Sequence, residues 1–231
     1  MLSRPVVRFV AVLLFATPVV AQTQSGLIRG TVVSSDGNPV QDAHVSAEIM
    51  KGSEIITGLA ANSDDHGQFV FSSLAMGEYR LSADKAEAGY LSTFGIFSSE
   101  PGLIITLTEE APAATAVIHL GRKAGVITGR VLDSLTGNTV RAKLSLSPMD
   151  GSSWSMMGAS EKFEFRVLIP ADTPMRFGAC AEGYMPWFYA DPSNPNSPAP
   201  VTLSSGAELH TLIKLERRNG KEQTDCAAGS F

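Results

Sequence analysis

Short runs of alternating apolar and polar residues cover most of the chain and predict β-strands rather than helices. The runs are rich in Val, Ile, Thr, Phe and Tyr, and turn residues bound them. Asp36-Gly37 and Gly137-Asn138 are hairpin signals, because Gly and Asn accept the positive φ of tight turns. No window carries a helical apolar stripe longer than about ten residues, and residues 83–88 are expected to form at most one turn. The pattern predicts an all-β protein whose sheets pair to bury their hydrophobic faces.

One pattern occurs twice in the chain, 99 positions apart. The segment GLIRGTVV at 26–33 returns as GVITGRVL at 125–132, and shorter matches follow downstream, among them two Phe-x-Phe and two Gly-Tyr pairs. A repeat of this length indicates two copies of one structural unit. We therefore expect two tandem antiparallel β-sandwiches after a signal peptide, at residues 22–121 and 122–218, followed by a polar tail at 219–231.

Within each copy, the alternating positions identify the side chains that should face a core. In the first copy these are Ile28, Val45, Ile49, Phe69, Phe71, Tyr79, Leu81, Ile104, Leu107, Ile118 and Leu120. In the second they are Ile127, Val131, Leu144, Leu146, Phe163, Phe165, Phe177, Leu203 and Ile213. Each copy thus has enough apolar positions for a core of its own.

The first copy also carries a spaced set of turn and core residues: DGNPV at 36–40, DDHGQF at 64–69 and GY at 89–90. This set resembles the carboxypeptidase regulatory-like domain, a transthyretin-like or prealbumin-like (Ig-like) sandwich related to Cna-B-type modules. The resemblance covers nearly all of the first copy, and the second copy is more divergent because it lacks the Asp-Asp-x-Gly turn. Since the family is usually described as non-catalytic, the resemblance implies a module rather than an enzyme.

The first 21 residues have the pattern of a cleaved secretory signal peptide. Arg4 and Arg8 precede a short apolar run, and the segment ends in Val-Val-Ala. The run is too short to span a bilayer core of about 30 Å. We therefore expect a secreted or periplasmic protein without membrane insertion. Loss of the two arginines changes the formal charge from −5 to −7, which disfavours nucleic acid and anionic lipid as partners.

Residue types that usually carry catalysis do not occur in catalytic patterns. The four histidines fit neither His-x-x-Glu nor His-Glu-x-x-His, so zinc peptidase chemistry is not predicted. The chain has no Gly-x-Ser-x-Gly elbow and no His-x-His pair like that of the intradiol dioxygenases, whose sandwich begins in a similar way. Asp64-Asp65 is interpreted as a hairpin turn, with a calcium loop as the alternative. We expect no catalytic residues, metal, cofactor or enzymatic activity.

The segment 183–192 of the second copy holds three adjacent aromatic residues, which cannot all face one side of a strand. Trp187, Phe188 and Tyr189, together with Asp191, are the candidate ligand-binding residues, because aromatic faces beside a carboxylate suit sugar stacking or peptide docking. The expected partner is a glycan, a peptide or a cell-envelope protein. The alternative is that the rings fill the core and the protein is a structural spacer or accessory subunit. An enzyme of unrecognised type ranks third.

The chain has two cysteines, Cys180 in a predicted strand and Cys226 in the polar tail. An exported compartment permits oxidation, so we expect a disulfide that ties the tail to the second sandwich. Otherwise, Cys226 is a free thiol available for intermolecular pairing. The sequence leaves the oligomeric state open.

Overall fold

The computed structural model describes residues 25–52, 54–95, 102–149, 155–158, 164–190, 193–194, 197–218 and Cys226. The expected signal peptide lies outside these residues. A 3₁₀ helix spans Ala86–Ala88, in agreement with the single turn predicted there. Within the described part of the chain, no helix is long and apolar enough to cross a membrane. The strands are β1 (Gly26–Val33), β2 (His44–Lys51), β3 (Glu54–Asn62), β4 (Gln68–Leu74), β5 (Gly77–Asp84), β6 (Leu103–Leu107), β7 (Ala113–His119), β8 (Gly125–Asp133), β9 (Lys143–Pro148), β10 (Ser155–Gly158), β11 (Glu164–Ile169), β12 (Met175–Cys180), β13 (Trp187–Phe188) and β14 (Glu208–Leu215).

The strands form four sheets with a repeated order. The first unit, strands β1 to β7, has the sheets β4-β1-β7 and β3-β2-β5-β6. The second unit, strands β8 to β14, has the sheets β11-β8-β14 and β10-β9-β12-β13. Numbering each unit from its own first strand gives the same two orders. The repeat seen in the sequence is therefore also a repeat of topology.

The predicted all-β fold with antiparallel sheets is confirmed, and one strand pair in each unit is parallel. β7 runs parallel to β1, and β14 runs parallel to β8. A parallel pair requires a crossover between its strands. Here the chain leaves the three-stranded sheet after β4, adds β5 and β6 to the other sheet, and returns as β7. Local alternation predicts strands but contains no information on the direction of such a distant neighbour.

Each unit buries a hydrophobic cluster of its own between its two sheets. The buried members of the first cluster, which include Ile28 and Tyr79, all come from the first unit. Those of the second, which include Ile127 and Phe177, all come from the second unit. The Tyr79 hydroxyl donates a hydrogen bond to the Ala75 carbonyl at 2.9 Å, and burial raises the pKa of this tyrosine. The separate clusters explain why both copies of the sequence carry a complete set of apolar positions.

Most of the predicted core positions are buried, with one clear exception. Ile104 is 42% exposed. It lies on β6, an edge strand, and pairs with Arg80 on the outer face of the sheet. Ile49 and Leu203 are partly buried and pack against the clusters, and Phe163 lies outside the described residues. A five-residue edge strand gives too short a pattern to identify its inner face from sequence.

A glycine at the same place in both units explains part of the repeated motif. A Cβ atom added to Gly30 would lie 2.3 Å from the carbonyl oxygen of Ala116. One added to Gly129 would lie 1.8 Å from the carbonyl oxygen of Thr211. In each unit a phenylalanine ring of the neighbouring strand also lies within 3.0 Å of the added atom. Both copies thus need glycine for the same close approach of neighbouring strands.

Candidate functional site

The two units meet at a short connection, residues 121–124, which we call the junction. Ala124 is 1% exposed. Its N–H donates to the carbonyl of Gly89 in the first unit at 2.8 Å, and its carbonyl accepts from the N–H of Gly206 in the second unit at 3.3 Å. One buried residue is therefore hydrogen-bonded to both units.

Two side-chain contacts also lie at the junction, and one of them joins the two units directly. Arg166 of the second unit donates through Nη1 to the carbonyl oxygen of Ala86 at 2.9 Å. Arg122 of the junction pairs with Asp172, with 2.6 Å between Nη1 and Oδ2. Both members of this ion pair are more than half exposed, so it contributes at most about 1 kcal/mol to stability. It ties the junction to the second unit.

A cleft of about 500 Å³ lies beside the junction. Both units line it with apolar side chains, and His119 and Arg122 are among its polar lining residues. None of the described residues that line it is a carboxylate, so they supply no carboxylate–histidine pair for acid–base chemistry. Its apolar lining includes Leu81, Leu103 and Ile118 of the first unit and Pro170 and Ala171 of the second.

The aromatic residues singled out in the sequence lie on and beside β13, which pairs with β12. The Trp187 ring meets Phe177 edge to face, with ring centroids 5.8 Å apart. Trp187 and Tyr189 are partly buried and pack against the second cluster. Phe188, the next residue of the strand, points to the opposite face. Asp191 lies outside the described residues. Ligand binding by this segment therefore stays a prediction, and the structure gives Trp187 a packing role.

A disulfide joins Cys180 to Cys226, with 5.8 Å between their Cα atoms. Cys180 is fully buried at the end of β12, where it pairs with Lys143 of β9. The Lys143 ammonium donates to the Cys226 carbonyl at 3.4 Å. Residue 226 is thereby held against the four-stranded sheet of the second unit.

A buried carboxylate that the sequence analysis did not identify lies at the end of β8. Asp133 is 2% exposed. Its Oδ1 accepts the N–H groups of Leu135 and Thr136, both at 2.9 Å, and its Oδ2 accepts the Tyr184 hydroxyl at 2.9 Å and Arg217 Nε at 2.6 Å. The Thr136 N–H and then Arg217 hold the pKa of Asp133 well below its ordinary 3.8, and hydrogen bonding to Asp133 raises the pKa of Tyr184 and of Arg217. With both oxygens occupied by protein donors, this group closes a turn and is not available as an acid or base.

Comparison of the two copies contains the signal that would have revealed this network. Arg217 aligns with Arg122 of the first copy, whereas Asp133 aligns with Ser34. The first unit therefore has no carboxylate at this place, and Arg122 of the junction pairs with Asp172 of the second unit instead. An acid found in one copy of a repeat, opposite a basic residue found in both, indicates an ion pair specific to that copy.

The histidines and the Asp-Asp turn do not form a shared site. Asp64 Oδ1 accepts the N–H groups of His66 and Gln68 at 2.9 and 2.7 Å, which closes the predicted hairpin turn. Asp64, Asp65 and His66 bring their ligand atoms within 4.8 Å of one another, but all three are exposed. Exposed acidic groups of this kind are ordinary in turns. The other histidines lie elsewhere: His44 is 3.4 Å from Asp84, His210 is 3.0 Å from Thr128, and His119 lines the cleft.

Residues 27–94 match the family described as the carboxypeptidase regulatory-like domain. The resemblance inferred from the motifs of the first copy is therefore confirmed for this segment. The match does not extend to the second unit, for which the same family assignment stays a prediction. No curated protein matches the chain.

Several solved structures are similar at low sequence identity. A streptococcal ancillary pilin is 13% identical with a TM-score of 0.39, and the match covers 86% of this chain and 64% of the pilin. The Bacillus anthracis TIE protein is 15% identical with a TM-score of 0.35, covering 83% of this chain and 34% of that protein. GBS52, the minor pilin of Streptococcus agalactiae, is 11% identical with a TM-score of 0.36, covering 86% of this chain and 98% of the pilin.

Proposed function

We propose that this protein is a non-catalytic exported structural module whose two β-sandwiches are held end to end as a stiff spacer. The observation that carries the proposal is the environment of Ala124. Flexible linkers expose their backbone to water and make few contacts. Ala124 is instead buried, and its N–H and carbonyl are bonded to different units.

The energetic argument follows from these bonds. Bending the units apart breaks the hydrogen bonds of Ala124 and the bond from Arg166 to Ala86. Each bond contributes about 1 kcal/mol net, and more when a separated group stays buried without a partner. The observed arrangement of the units is therefore favoured over bent arrangements by a few kcal/mol, which is enough to maintain this arrangement most of the time.

Export is supported by the disulfide and by the signal-like segment at residues 1–21. Structural disulfides form and persist in oxidising compartments and are rare in the reducing cytosol. The disulfide joins two cysteines that are 46 positions apart in sequence, and it holds part of the tail. A protein with this bond is suited to a periplasmic or secreted location.

The alternative functions have weaker support. A glycan-binding face needs an exposed aromatic platform, and Trp187 uses part of its surface to pack on Phe177 and the core. An enzyme needs an available acid, base or nucleophile. Among the described residues, the carboxylate whose pKa is most strongly lowered, that of Asp133, is fully engaged in a structural network.

Small-angle X-ray scattering on three proteins tests the spacer. The first is the natural chain without residues 1–21, and the second carries a flexible Gly-Ser insertion after Gly121, in the junction. The matched control carries the same insertion after Gly137, in an exposed turn of the second unit with a φ of 71°. We expect the natural chain and the control to give one narrow distribution of dimensions, and the junction insertion to broaden it. A natural chain as broad as the junction insertion contradicts the proposal.

A further inference from the structure

The outer edge of β3 is exposed, long and apolar. Strand β3 lies at the edge of the sheet β3-β2-β5-β6, and within the described part of the chain it pairs with β2 alone. Eight of its nine residues are exposed, with Ala61 partly buried. The exposed fractions of Ile55, Ile56 and Leu59 are 49%, 56% and 41%. Such an edge presents unpaired backbone groups together with apolar side chains, which is a template for another strand.

Strand β3 has a bulge near its start but lacks most other usual protections of an edge strand. Natural edges are blunted by lysine, proline, inward-pointing charges, bulges or short length. The strand has no Lys, Arg or Pro, and its one charged residue, Glu54, is at its end. The corresponding edge strand of the second unit, β10, is described over the four residues Ser155–Gly158.

A bulge defines which part of β3 is regular. Met50 pairs with Ile55 and Ile49 pairs with Thr57, so Ile56 is an extra residue on β3. Beyond this bulge, residues 57–62 pair with β2 without interruption. The segment available for regular pairing with another strand is therefore 57–62, which contains no charged side chain.

We propose that β3 pairs antiparallel with β3 of a second copy, about a two-fold axis at Leu59. A two-fold axis perpendicular to the sheet places the core-facing sides of the two sheets on the same side of the joined sheet. Each residue therefore pairs with a residue of the other copy that faces the same side. Centring the axis on Leu59 opposes the two Leu59 side chains on one face. On the other face, Gly58 of one copy lies opposite Ala60 of the other, and the small size of both residues permits close approach. This register keeps both bulges outside the paired segment.

The chemistry of the edge favours a second copy over a foreign strand. A partner recognised by charge would find no complementary charge between residues 57 and 62. Two copies of the same neutral segment meet without like-charge repulsion and join apolar to apolar surface. The contact is isologous, so it closes as a dimer and consumes both edges. An interface of one strand edge lies below about 1,200 Å², so the dimer should be transient and depend on concentration.

Sedimentation velocity over a wide range of protein concentration tests the self-association. The natural chain should show a reversible monomer–dimer equilibrium, and Leu59→Lys should remain monomeric. The matched control is Leu212→Lys, which changes a leucine of 50% exposure on β14, an edge strand of the second unit. This control should dimerise like the natural chain. A natural chain that stays monomeric, aggregates without limit, or loses its dimer equally in both variants overturns the proposal.

Cysteine cross-linking tests the register. Leu59→Cys should form a disulfide-linked dimer on mild oxidation, because the two substituted positions oppose each other. Gly58→Cys alone should not, but a mixture of Gly58→Cys and Ala60→Cys chains should give a mixed dimer. Cysteine fits at Gly58, since an added Cβ has its nearest contact at 3.9 Å, with Glu48 Cγ. Failure of Leu59→Cys to cross-link, or cross-linking of Gly58→Cys alone, contradicts the pairing about Leu59.

Discussion

Removal of the Cys180–Cys226 disulfide is expected to destabilise the second unit and leave the first unit unchanged. The bond connects positions separated by 46 residues, and both lie in the second half of the chain. Cys226→Ala is the preferred change because it breaks the tether but keeps the buried sulfur of Cys180 in place. The double variant with Cys180→Ala then measures the additional cost of the cavity left by that sulfur.

The magnitude follows from the length of the closed loop. A cross-link lowers the entropy of the unfolded chain, and for a loop of this length the chain-entropy relation gives about 4 kcal/mol at 25 °C. With a urea slope of about 2 kcal/mol per molar, this corresponds to a fall of roughly 2 M in the unfolding midpoint. The cavity in the double variant should add about 1 kcal/mol or less.

Tryptophan fluorescence makes the assay specific to one unit. The chain has two tryptophans, Trp154 and Trp187, and both belong to the second copy of the repeat. The fluorescence transition in urea therefore reports unfolding of the second unit, while far-UV circular dichroism reports both units. We expect Cys226→Ala to shift the fluorescence transition and leave a second transition, seen by dichroism, in place. An unchanged fluorescence midpoint, or two reactive thiols in the native natural chain, would refute the reasoning.

Three further predictions concern single side chains. Trp187→Ala should lower the unfolding free energy by about 2 kcal/mol in urea denaturation followed by dichroism, less than for a fully buried tryptophan; an unchanged midpoint would instead favour an exposed ligand platform. Asp133→Asn should be less stable than the natural chain at neutral pH. Because folding lowers the pKa of Asp133 from its ordinary 3.8, this difference in unfolding free energy should persist above about pH 4 and shrink below it. A stability difference that does not depend on pH would contradict the role given to the charge of Asp133. Gly129→Ala should lower the unfolding free energy by about 1–3 kcal/mol or more, since its Cβ would lie 1.8 Å from a carbonyl oxygen. The control Gly121→Ala, whose Cβ would have nothing within 4 Å, should leave the stability unchanged. Equal melting temperatures for the two variants would contradict the packing argument.

The local features of the fold were accessible from the sequence because they depend on near neighbours. Alternation predicted the strands, and turn residues predicted the hairpins, where Gly37 and Gly137 adopt φ values of 79° and 71°. The repeat predicted two units of the same kind, and both have the same order of strands. Alternation and turn residues are local signals, and the repeat is visible by comparing the two copies. These features could therefore be predicted without knowledge of distant contacts.

The features that sequence reasoning did not reach depend on groups brought together by the complete fold. Asp133 and Arg217 are 84 positions apart and meet only because β14 lies parallel to β8. The role of Ala124 depends on carbonyl and N–H groups of two different units, which carry no residue-specific signal. Ile104 has the pattern of a core residue but lies on the outer face of an edge strand. In each case the outcome depends on groups that are distant in sequence and that residue type alone does not identify.

Backbone ¹⁵N relaxation of the chain from residue 22 onward tests the central claim most directly, because it measures the rotational tumbling of each unit separately. If the junction holds the two units end to end, amides of both units will give the same overall correlation time and the same anisotropic diffusion tensor, with the long axis running through both. If each unit gives a shorter correlation time of its own, typical of a sandwich tumbling alone, the units move independently and the stiff-spacer account is contradicted.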